Sequence, residues 1–150
     1  MTREVRGARS EGRRTTEPLR VVFAREALDA VLRHARQDLP DECCGLLVGT
    51  SERIERAVPA RNLRRSPTRY LVDPEDHFAV LREVRATGRV VRGAYHSHPR
   101  GPDTPSPTDI SESHDPSLLH VIVSLRDEQP GVRAYYLADG GYTAVDLADD

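Results

Sequence analysis

The chain has 150 residues, with 22 basic and 24 acidic side chains and a formal net charge of −2 at pH 7. This length indicates one domain with a sizeable core, and the near balance of charge excludes nucleic acid as an electrostatically attracted partner. No apolar run approaches the roughly 20 residues of a membrane span, and the N-terminus lacks the apolar segment of a signal peptide, so we expect a soluble, cytoplasmic protein.

The N-terminal segment differs in composition from the rest of the chain. Residues 1–18 are rich in Arg, Glu, Gly, Ser and Thr, which predicts a disordered tail that can be deleted without loss of stability or activity. One folded domain is expected over 19–150. It begins with a short strand around Arg20–Phe23 and a helix over Ala24–Leu39, whose apolar residues recur at helical spacing. His34 lies one position off that apolar stripe, and we interpret it as a surface residue.

Apolar runs and turn signals then alternate to the C-terminus. A second helix is expected from Asp73-Pro74 to about Thr87, with Phe78, Leu81 and Val84 facing inward and Gly88 as its stop. The other predicted elements are strands near Cys43–Val48, Arg53–Val58, Tyr70–Val72, Arg89–Tyr95, Leu119–Leu125, Val132–Leu137 and Tyr142–Leu147, with a loop over 61–67, a short helix near Thr108–Ser113 and a hairpin turn at Asp139-Gly140-Gly141. This alternation predicts an α/β fold, a central mixed β-sheet flanked by helices.

The most informative stretch is His96-Ser97-His98-Pro99, followed by Ser106 and Asp109. Residues i and i+2 of a strand project from the same face, so both imidazoles are available to one cation. Asp109 completes the set if the proline-rich loop before it folds back. Two imidazoles and one carboxylate leave the fourth position of a tetrahedral Zn²⁺ open for water, which is typical of a catalytic site rather than a structural one.

Glu42 stands at the mouth of the apolar run that follows Cys43 and Cys44. If that strand pairs near the motif strand, the Glu42 carboxylate can act as the general base for a zinc-activated water. The two adjacent cysteines are too close for an unstrained disulfide, so we expect free thiols that serve as small packing residues. Zinc ligation by these cysteines is the less favoured alternative, because adjacent cysteines are not a known structural-zinc spacing.

Taken together, Glu42, Cys44-Gly45-Leu46-Leu47, the His-x-His motif, Ser106 and Asp109 resemble the JAMM (MPN-plus) zinc metalloproteases, in their compact prokaryotic form. The resemblance covers about residues 20–147 and implies an MPN/JAMM-like fold with cytidine-deaminase-like layering. It also implies one zinc ion per chain on His96, His98 and Asp109. Glu42 would be the base and then the proton donor to the leaving amine, and Ser106 would help to hold the oxyanion or the water.

The same resemblance implies a substrate class. Some compact prokaryotic members trim ubiquitin-like sulfur-carrier proteins after a C-terminal Gly-Gly, so we expect such a carrier or its adduct as the partner and substrate. The sequence does not set the oligomeric state. Cys43 is the departure from the family pattern, which has one cysteine at the position of Cys44.

Three other interpretations were weighed against the enzyme. A non-catalytic MPN-type scaffold or interaction module is the main alternative, although all five functional positions are intact. A structural zinc site is disfavoured because three ligands leave the metal open, and an amidohydrolase barrel needs about 250 residues. Ser106 also reads as the N-cap of a short helix with Pro107 at its first position, a role compatible with the catalytic one.

Overall fold

The computed structural model describes residues 17–150. The tail expected over 1–18 therefore lies outside the described residues, apart from its last two. Of these, Pro18 contacts the domain, because its carbonyl accepts a hydrogen bond from the Tyr136 hydroxyl at 2.8 Å. Within this part of the chain no helix has the length and apolar character that would let it span a membrane.

Strands and helices alternate along the described chain, as the sequence predicts. The strands are β1 (Arg20–Phe23), β2 (Cys44–Thr50), β3 (Arg53–Ala60), β4 (Val90–His98), β5 (Leu119–Ser124), β6 (Gly131–Ala138) and β7 (Gly141–Asp149). The helices are α1 (Arg25–Gln37), α2 (Pro74–Val84) and α3 (Pro107–Ser111). The segment Tyr70–Val72, predicted as a strand, forms only an isolated bridge between Asn62 and Val72.

The strands form one mixed sheet in the order β1-β3-β2-β4-β5-β6-β7, which closes into a barrel. β1 pairs in parallel with β3 and β7, and β4 pairs in parallel with β5, while all the other neighbours are antiparallel. β4 is central, with β2 on one side and β5 on the other. Because β4 ends with His96-Ser97-His98, the topology brings the start of β2 beside the histidine motif, as expected for Glu42.

Helix α1 packs against the barrel through a stripe of small and β-branched side chains. Ala27, Val31 and Ala35 are at most 2% exposed and join the main core. Their i, i+4, i+8 spacing is the one the sequence shows, and it lets the helix approach the sheet closely. The main core also contains Cys43, just before β2, and residues from most of the strands: Val21, Phe23, Leu47, Ile54, Tyr95, Leu119, Val121, Val123, Ala134, Tyr136 and Val145.

Helix α2 is rotated relative to the prediction. Its buried residues are Val80 and Val84, which pack with Leu46, Val48 and Ala94 in a second apolar cluster. Phe78 is 61% exposed and Leu81 is 38% exposed, so the expectation that they face inward is wrong. The physical reason is that the i, i+4 pair of compact valines fits the close approach to β2 and β4, which turns the larger side chains toward solvent.

His34 is also misplaced by the sequence interpretation. Its side chain is 11% exposed, and its Nδ1 lies 2.7 Å from the Tyr95 hydroxyl on β4. Its Nε2 lies 3.2 Å from the Asp38 carboxylate. The hydrogen bond to Tyr95 places the imidazole in the interface between α1 and the sheet. Helical periodicity alone does not take account of such a contact.

The backbone angles confirm the predicted hairpin turn between β6 and β7. Asp139 and Gly140 have φ of 54° and 75°, the left-handed pair that a tight hairpin between β6 and β7 needs. Gly88 has φ of 76°, but α2 already ends at Val84 with Arg85 as its C-cap. The helix therefore stops before Gly88, and the prediction that Gly88 ends it is wrong; Gly88 instead adopts the left-handed conformation in the turn that follows.

Candidate metal centre

His96 and His98 lie at the C-terminal end of β4, on the same face of the strand. They are 1% and 6% exposed, and their Nε2 atoms are 3.1 Å apart. The strand is fixed on both sides, because His96 is paired with Cys44 of β2 and with Ile122 of β5. The expectation that both imidazoles project together is therefore met by a rigid part of the sheet.

Asp109 reaches the two imidazoles from the first turn of α3. Its Oδ2 lies 3.1 Å from Nε2 of His96 and 3.1 Å from Nε2 of His98. The helix start is a capping box with Ser106: the Asp109 N–H donates to Ser106 Oγ at 3.0 Å, and the Ser106 N–H donates to Asp109 Oδ2 at 2.9 Å. The prediction that Ser106 caps this helix is confirmed, and the same capping box directs the Asp109 carboxylate toward the two imidazoles.

The three donor atoms form a triangle with sides of 3.1 Å. A tetrahedral zinc ion with bonds of about 2.0–2.1 Å separates its ligand atoms by roughly 3.3 Å. His98 Nδ1 lies 2.7 Å from the Pro102 carbonyl, which can only accept, so Nδ1 carries a proton. In the neutral ring, Nε2 then presents a lone pair toward the Asp109 carboxylate oxygen, so two electron-pair donors face each other. A cation at the centre of the triangle would bind both the imidazole nitrogen and the carboxylate oxygen. The donor set fits zinc.

The pKa values of the three residues also favour a bound cation. Burial alone raises the pKa of Asp109, but hydrogen bonds from His96 and His98 outweigh it and hold the pKa well below its usual range. Burial lowers the pKa of His96. Burial also acts to lower the pKa of His98, yet the bonds to Asp109 and to the Pro102 carbonyl leave it raised. Asp109 is thus ionised and ready to bind a cation.

Glu42 lies just before β2 and is 3% exposed. Its Oε1 is the buried side-chain atom without a hydrogen-bond partner among the described residues. Burial raises the pKa of the Glu42 carboxyl to about 8, against the lowering influence of His98, and Asp109 raises it further. A buried carboxyl with a free oxygen and a pKa near neutrality is suited to taking up and releasing a proton.

Ser106 contributes a hydroxyl at the same place. Its Oγ accepts the Asp109 N–H in the cap, and no bond donated by its O–H is seen in residues 17–150. A serine hydroxyl has one proton to donate besides two lone pairs. The cap therefore occupies an acceptor position and leaves the proton available.

A cleft of about 780 Å³ opens beside these groups. Glu42, His98 and Ser106 contribute to its wall. The remaining wall is mostly apolar and rich in proline: Leu39, Pro40, Pro67, Thr68, Pro99, Arg100, Gly101, Pro102, Thr104, Pro105 and Pro107. The cleft gives an extended chain a route to His98, one of the three donor residues, and to Glu42 and Ser106.

Two contacts around the centre are not derivable from the sequence. The Pro102 carbonyl fixes the orientation of His98, and a backbone acceptor leaves no signature in side-chain spacing. The Tyr70 ring stacks on His96, with centroids 4.3 Å apart and an angle of 21° between the planes. Tyr70 belongs to the stretch covered by the family resemblance, but nothing local to it indicates this contact.

Three further histidines lie outside the donor triangle. His77, His114 and His120 line a second cavity of about 380 Å³, to whose wall Asp109 also contributes. His96, His98 and Asp109 are the sole cluster of potential metal ligands in the described part of the chain. Cys43 and Cys44 are buried free thiols, and burial raises the pKa of each to about 12.

The chain is similar to known proteins both in sequence and in fold. A family model described as prokaryotic homologs of the JAB domain matches residues 24–138. The CysO-cysteine peptidase of Mycobacterium tuberculosis strain H37Rv is 37% identical over 126 residues, covering 82% of this chain and 86% of that protein. A desampylase of Haloferax volcanii is 35% identical over 112 residues, covering 70% and 81%.

Among solved structures, protein DSY2949 from Desulfitobacterium hafniense has a TM-score of 0.80 at 32% identity, covering 87% of this chain and 92% of that one. A structure described as JAMM, a metalloprotease-like zinc site in the proteasome and signalosome, has a TM-score of 0.57 at 22% identity, covering 87% and 97%. The second likeness concerns the fold alone, and it agrees with the mixed sheet and flanking helices described above.

Proposed function

Since this chain belongs to the family of prokaryotic homologs of the JAB domain, we propose that it is a zinc-dependent peptidase for ubiquitin-like sulfur-carrier proteins. It is a hydrolase of the JAMM type, which acts on peptide or isopeptide bonds. The bond cleaved is the amide after the C-terminal Gly-Gly of the carrier, in a precursor or an adduct. One observation carries the proposal: three converging donor atoms with a buried, unpaired carboxylate oxygen beside the same cleft.

His96, His98 and Asp109 hold the metal, one ion per chain. A zinc ion in this position supplies Lewis-acid polarisation of the scissile carbonyl and a nucleophile at neutral pH. The protein holds the three donor atoms in fixed positions, partly shielded from water. The contacts that do so are those of β4, the Pro102 carbonyl and the capping box of α3. Three protein ligands leave a position for substrate, as in catalytic zinc sites.

Glu42 moves the proton. A cation held by the donor triangle would lower the pKa of the Glu42 carboxyl and favour its ionised form before the reaction. The free Oε1 accepts the proton of the attacking water, and the same oxygen then delivers that proton to the nitrogen of the leaving amine. A carboxyl without fixed hydrogen-bond partners suits both steps, because no internal bond has to break.

Ser106 stabilises the negative charge that develops on the carbonyl oxygen. Its O–H proton is available, and the capping box fixes the direction in which the Oγ points. A preorganised donor of this kind costs no reorganisation when the charge appears.

The proposed substrate class draws support from the relatives and from the cleft. The names of the relatives refer to CysO-cysteine and to desampylation, and another, from Thermus thermophilus, is a probable TtuB-protein conjugate cleaving protease, 36% identical over 122 residues. The cleft has a largely apolar wall with several prolines, and we take its occupant to be an extended segment without bulky side chains. Gly-Gly meets that requirement because it has no side chain to exclude.

The test is to incubate zinc-loaded protein with a ubiquitin-like carrier that bears an amino acid or a short peptide beyond its Gly-Gly end. Mass spectrometry is expected to show loss of the extension and an intact carrier. The matched control is the same carrier with Leu-Leu in place of Gly-Gly, which is expected to be cleaved far more slowly. Equal cleavage of both carriers, or rapid digestion of unstructured casein, contradicts the proposal and indicates a general peptidase.

A further inference from the structure

The loop over residues 61–73, which joins β3 to α2, borders the candidate centre at several points. Its Ser66 carbonyl accepts a hydrogen bond from the Glu42 N–H at 2.8 Å. Its Tyr70 ring stacks on His96, and Pro67 and Thr68 form part of the cleft wall. The loop contains no helix or strand of its own, so something else must hold its shape.

The side-chain amide of Asn62 does so with four hydrogen bonds to the main chain. Its Nδ2 donates to the Arg69 carbonyl and to the Glu42 carbonyl, each at 3.0 Å. Its Oδ1 accepts from the N–H groups of Arg64, at 2.9 Å, and Leu71, at 3.0 Å. Three of these partners lie in the loop itself, and the fourth is the residue assigned as the base.

Glu42 depends on this loop because it lies outside the sheet. β2 starts at Cys44, so no ladder bond of the strand includes residue 42. Both of its backbone polar groups are bound by the loop, the N–H by the Ser66 carbonyl and the carbonyl by Asn62. The Glu42 Oε1 has no partner that would fix it. The position of the carboxyl is therefore set through its backbone.

The same amide reaches the metal side of the centre. Arg69 and Leu71, which flank Tyr70, are both bound to Asn62, and the Tyr70 ring covers His96. Asn62 thus links the backbone of the base to the residue that packs on a metal ligand.

We propose that Asn62 is a positioning residue for hydrolysis, which acts by fixing the backbone of Glu42 relative to the donor triangle. The inference rests on the proposed function, since it takes Glu42 as the base. Asparagine suits this role because one planar amide supplies two N–H donors and an acceptor at a short reach. A displacement of about 1 Å in a reacting group can cost on the order of 100-fold in rate.

The test variant is Asn62→Asp, which keeps the shape and the Oδ1 acceptor and removes both N–H donors. It is expected to keep its zinc and a cooperative melting transition, at a lower Tm because two carbonyl groups lose their donor, and to lower kcat by about 10-fold or more, with little change in KM. A change confined to kcat indicates a misplaced reacting group rather than weaker substrate binding. Arg64→Ala is the matched control, because it removes an exposed ion pair between the same loop and Glu112 and no bond to Glu42.

A double-variant cycle distinguishes positioning from a general structural effect. In the Glu42→Gln background, Asn62→Asp is expected to change the residual kcat by less than about 2-fold, since the group it positions no longer acts. A loss as large as in the wild-type background overturns the proposal. Full activity of Glu42→Gln alone refutes the assigned base and hence the proposed function, which is a different outcome.

Asn62→Ser provides a second, smaller change that keeps a single hydroxyl donor. Its kcat is expected to lie between those of the wild type and Asn62→Asp. Unfolding of both variants, or a kcat of Asn62→Asp equal to that of the wild type, overturns the proposal by leaving Asn62 a structural role alone.

Discussion

Cys43 and Ser97 are joined by two hydrogen bonds, although they lie far apart in the sequence. The Ser97 N–H donates to the Cys43 carbonyl at 3.1 Å, and the Cys43 N–H donates to Ser97 Oγ at 2.8 Å. Ser97 lies between His96 and His98, and Cys43 follows Glu42. The pair therefore ties the proposed base to the proposed metal ligands one residue beyond the regular ladder between β2 and β4.

Ser97→Ala is expected to lower the free energy of unfolding by about 1–3 kcal/mol, because a buried N–H loses its acceptor. Denaturant unfolding of the zinc-free protein measures this directly. The exposed Ser117, whose hydroxyl bonds to Asp115, supplies the control, and Ser117→Ala is expected to stay within about 0.5 kcal/mol of the wild type. A Ser97→Ala protein as stable as that control would falsify the prediction.

His98→Ala is expected to lose most of the zinc, because two donors no longer close a site that needs at least three protein ligands. Metal analysis of purified protein is expected to give close to one zinc per chain for the wild type. His114→Ala is the matched control, since His114 is exposed and lies outside the donor triangle. If a variant with alanine at His96, His98 and Asp109 kept its full zinc content, the metal would have to bind at other residues and the assignment would be wrong.

Glu42→Gln is expected to keep the fold and the zinc and to lose at least about 100-fold in kcat, since the amide cannot accept a proton. The free energy of unfolding at neutral pH is not expected to fall, because the Glu42 Oε1 has no hydrogen bond to lose. Glu83→Gln, which alters an exposed ion pair with Arg56, serves as control. Near-normal turnover in Glu42→Gln would reject Glu42 as the base.

Ser106→Ala separates the two roles of this serine. Loss of an oxyanion donor is expected to lower kcat by about 10²–10³-fold, whereas loss of the N-cap alone costs about 1 kcal/mol of stability. Ser106→Thr retains a hydroxyl for both purposes and is expected to keep most of the turnover. Steady-state kinetics and thermal unfolding of the same samples distinguish the two roles. A change in stability without a change in kcat would show that Ser106 acts only as a helix cap.

His120 is expected to make stability fall in mild acid. It is 6% exposed, and burial, with a smaller contribution from His96, lowers its pKa from 6.5 to about 4. Below pH 6.5 the unfolded chain takes up a proton that the folded protein refuses, so stability present above this pH is lost as the pH falls toward 4. The full loss corresponds to about 3 kcal/mol.

Urea unfolding of the wild type and of His120→Gln across this pH window checks the prediction. His96 and His98 are present in both proteins, so the difference between the two curves reports on His120 and on its interaction with His96. The curves are expected to converge as the pH falls, because the variant has no proton to take up at this position. Parallel curves would show that His120 titrates alike in the folded and unfolded chain.

Much of the candidate site is predictable because its signals are local. His96 and His98 lie on the same face because side chains alternate along a strand. The orientation of the Asp109 carboxylate follows from a capping box formed within four consecutive residues. The position of Glu42 needs one further fact, the pairing of β2 with β4, which the sequence offers only as a condition and the sheet shows.

The errors and omissions arise where long-range contacts decide the outcome. The rotation of α2 depends on how closely Val80 and Val84 approach the sheet, and helical spacing alone also allowed Phe78 and Leu81. His34 is drawn inward by the Tyr95 hydroxyl, 61 residues away. The barrel closure requires β1 to reach both β3 and β7, which no local pattern encodes.

The parallel pairing of β1 with β7 has a mechanical consequence. The first and last strands of the described chain lie side by side over four residue pairs, from Arg20 with Asp146 to Phe23 with Asp149. Tension applied between the two ends of the described chain would pull these strands past each other lengthwise. All of their hydrogen bonds then resist at once instead of opening one after another. A JAMM-type hydrolase stretched by its ends is thus expected to yield at high force and in a single step.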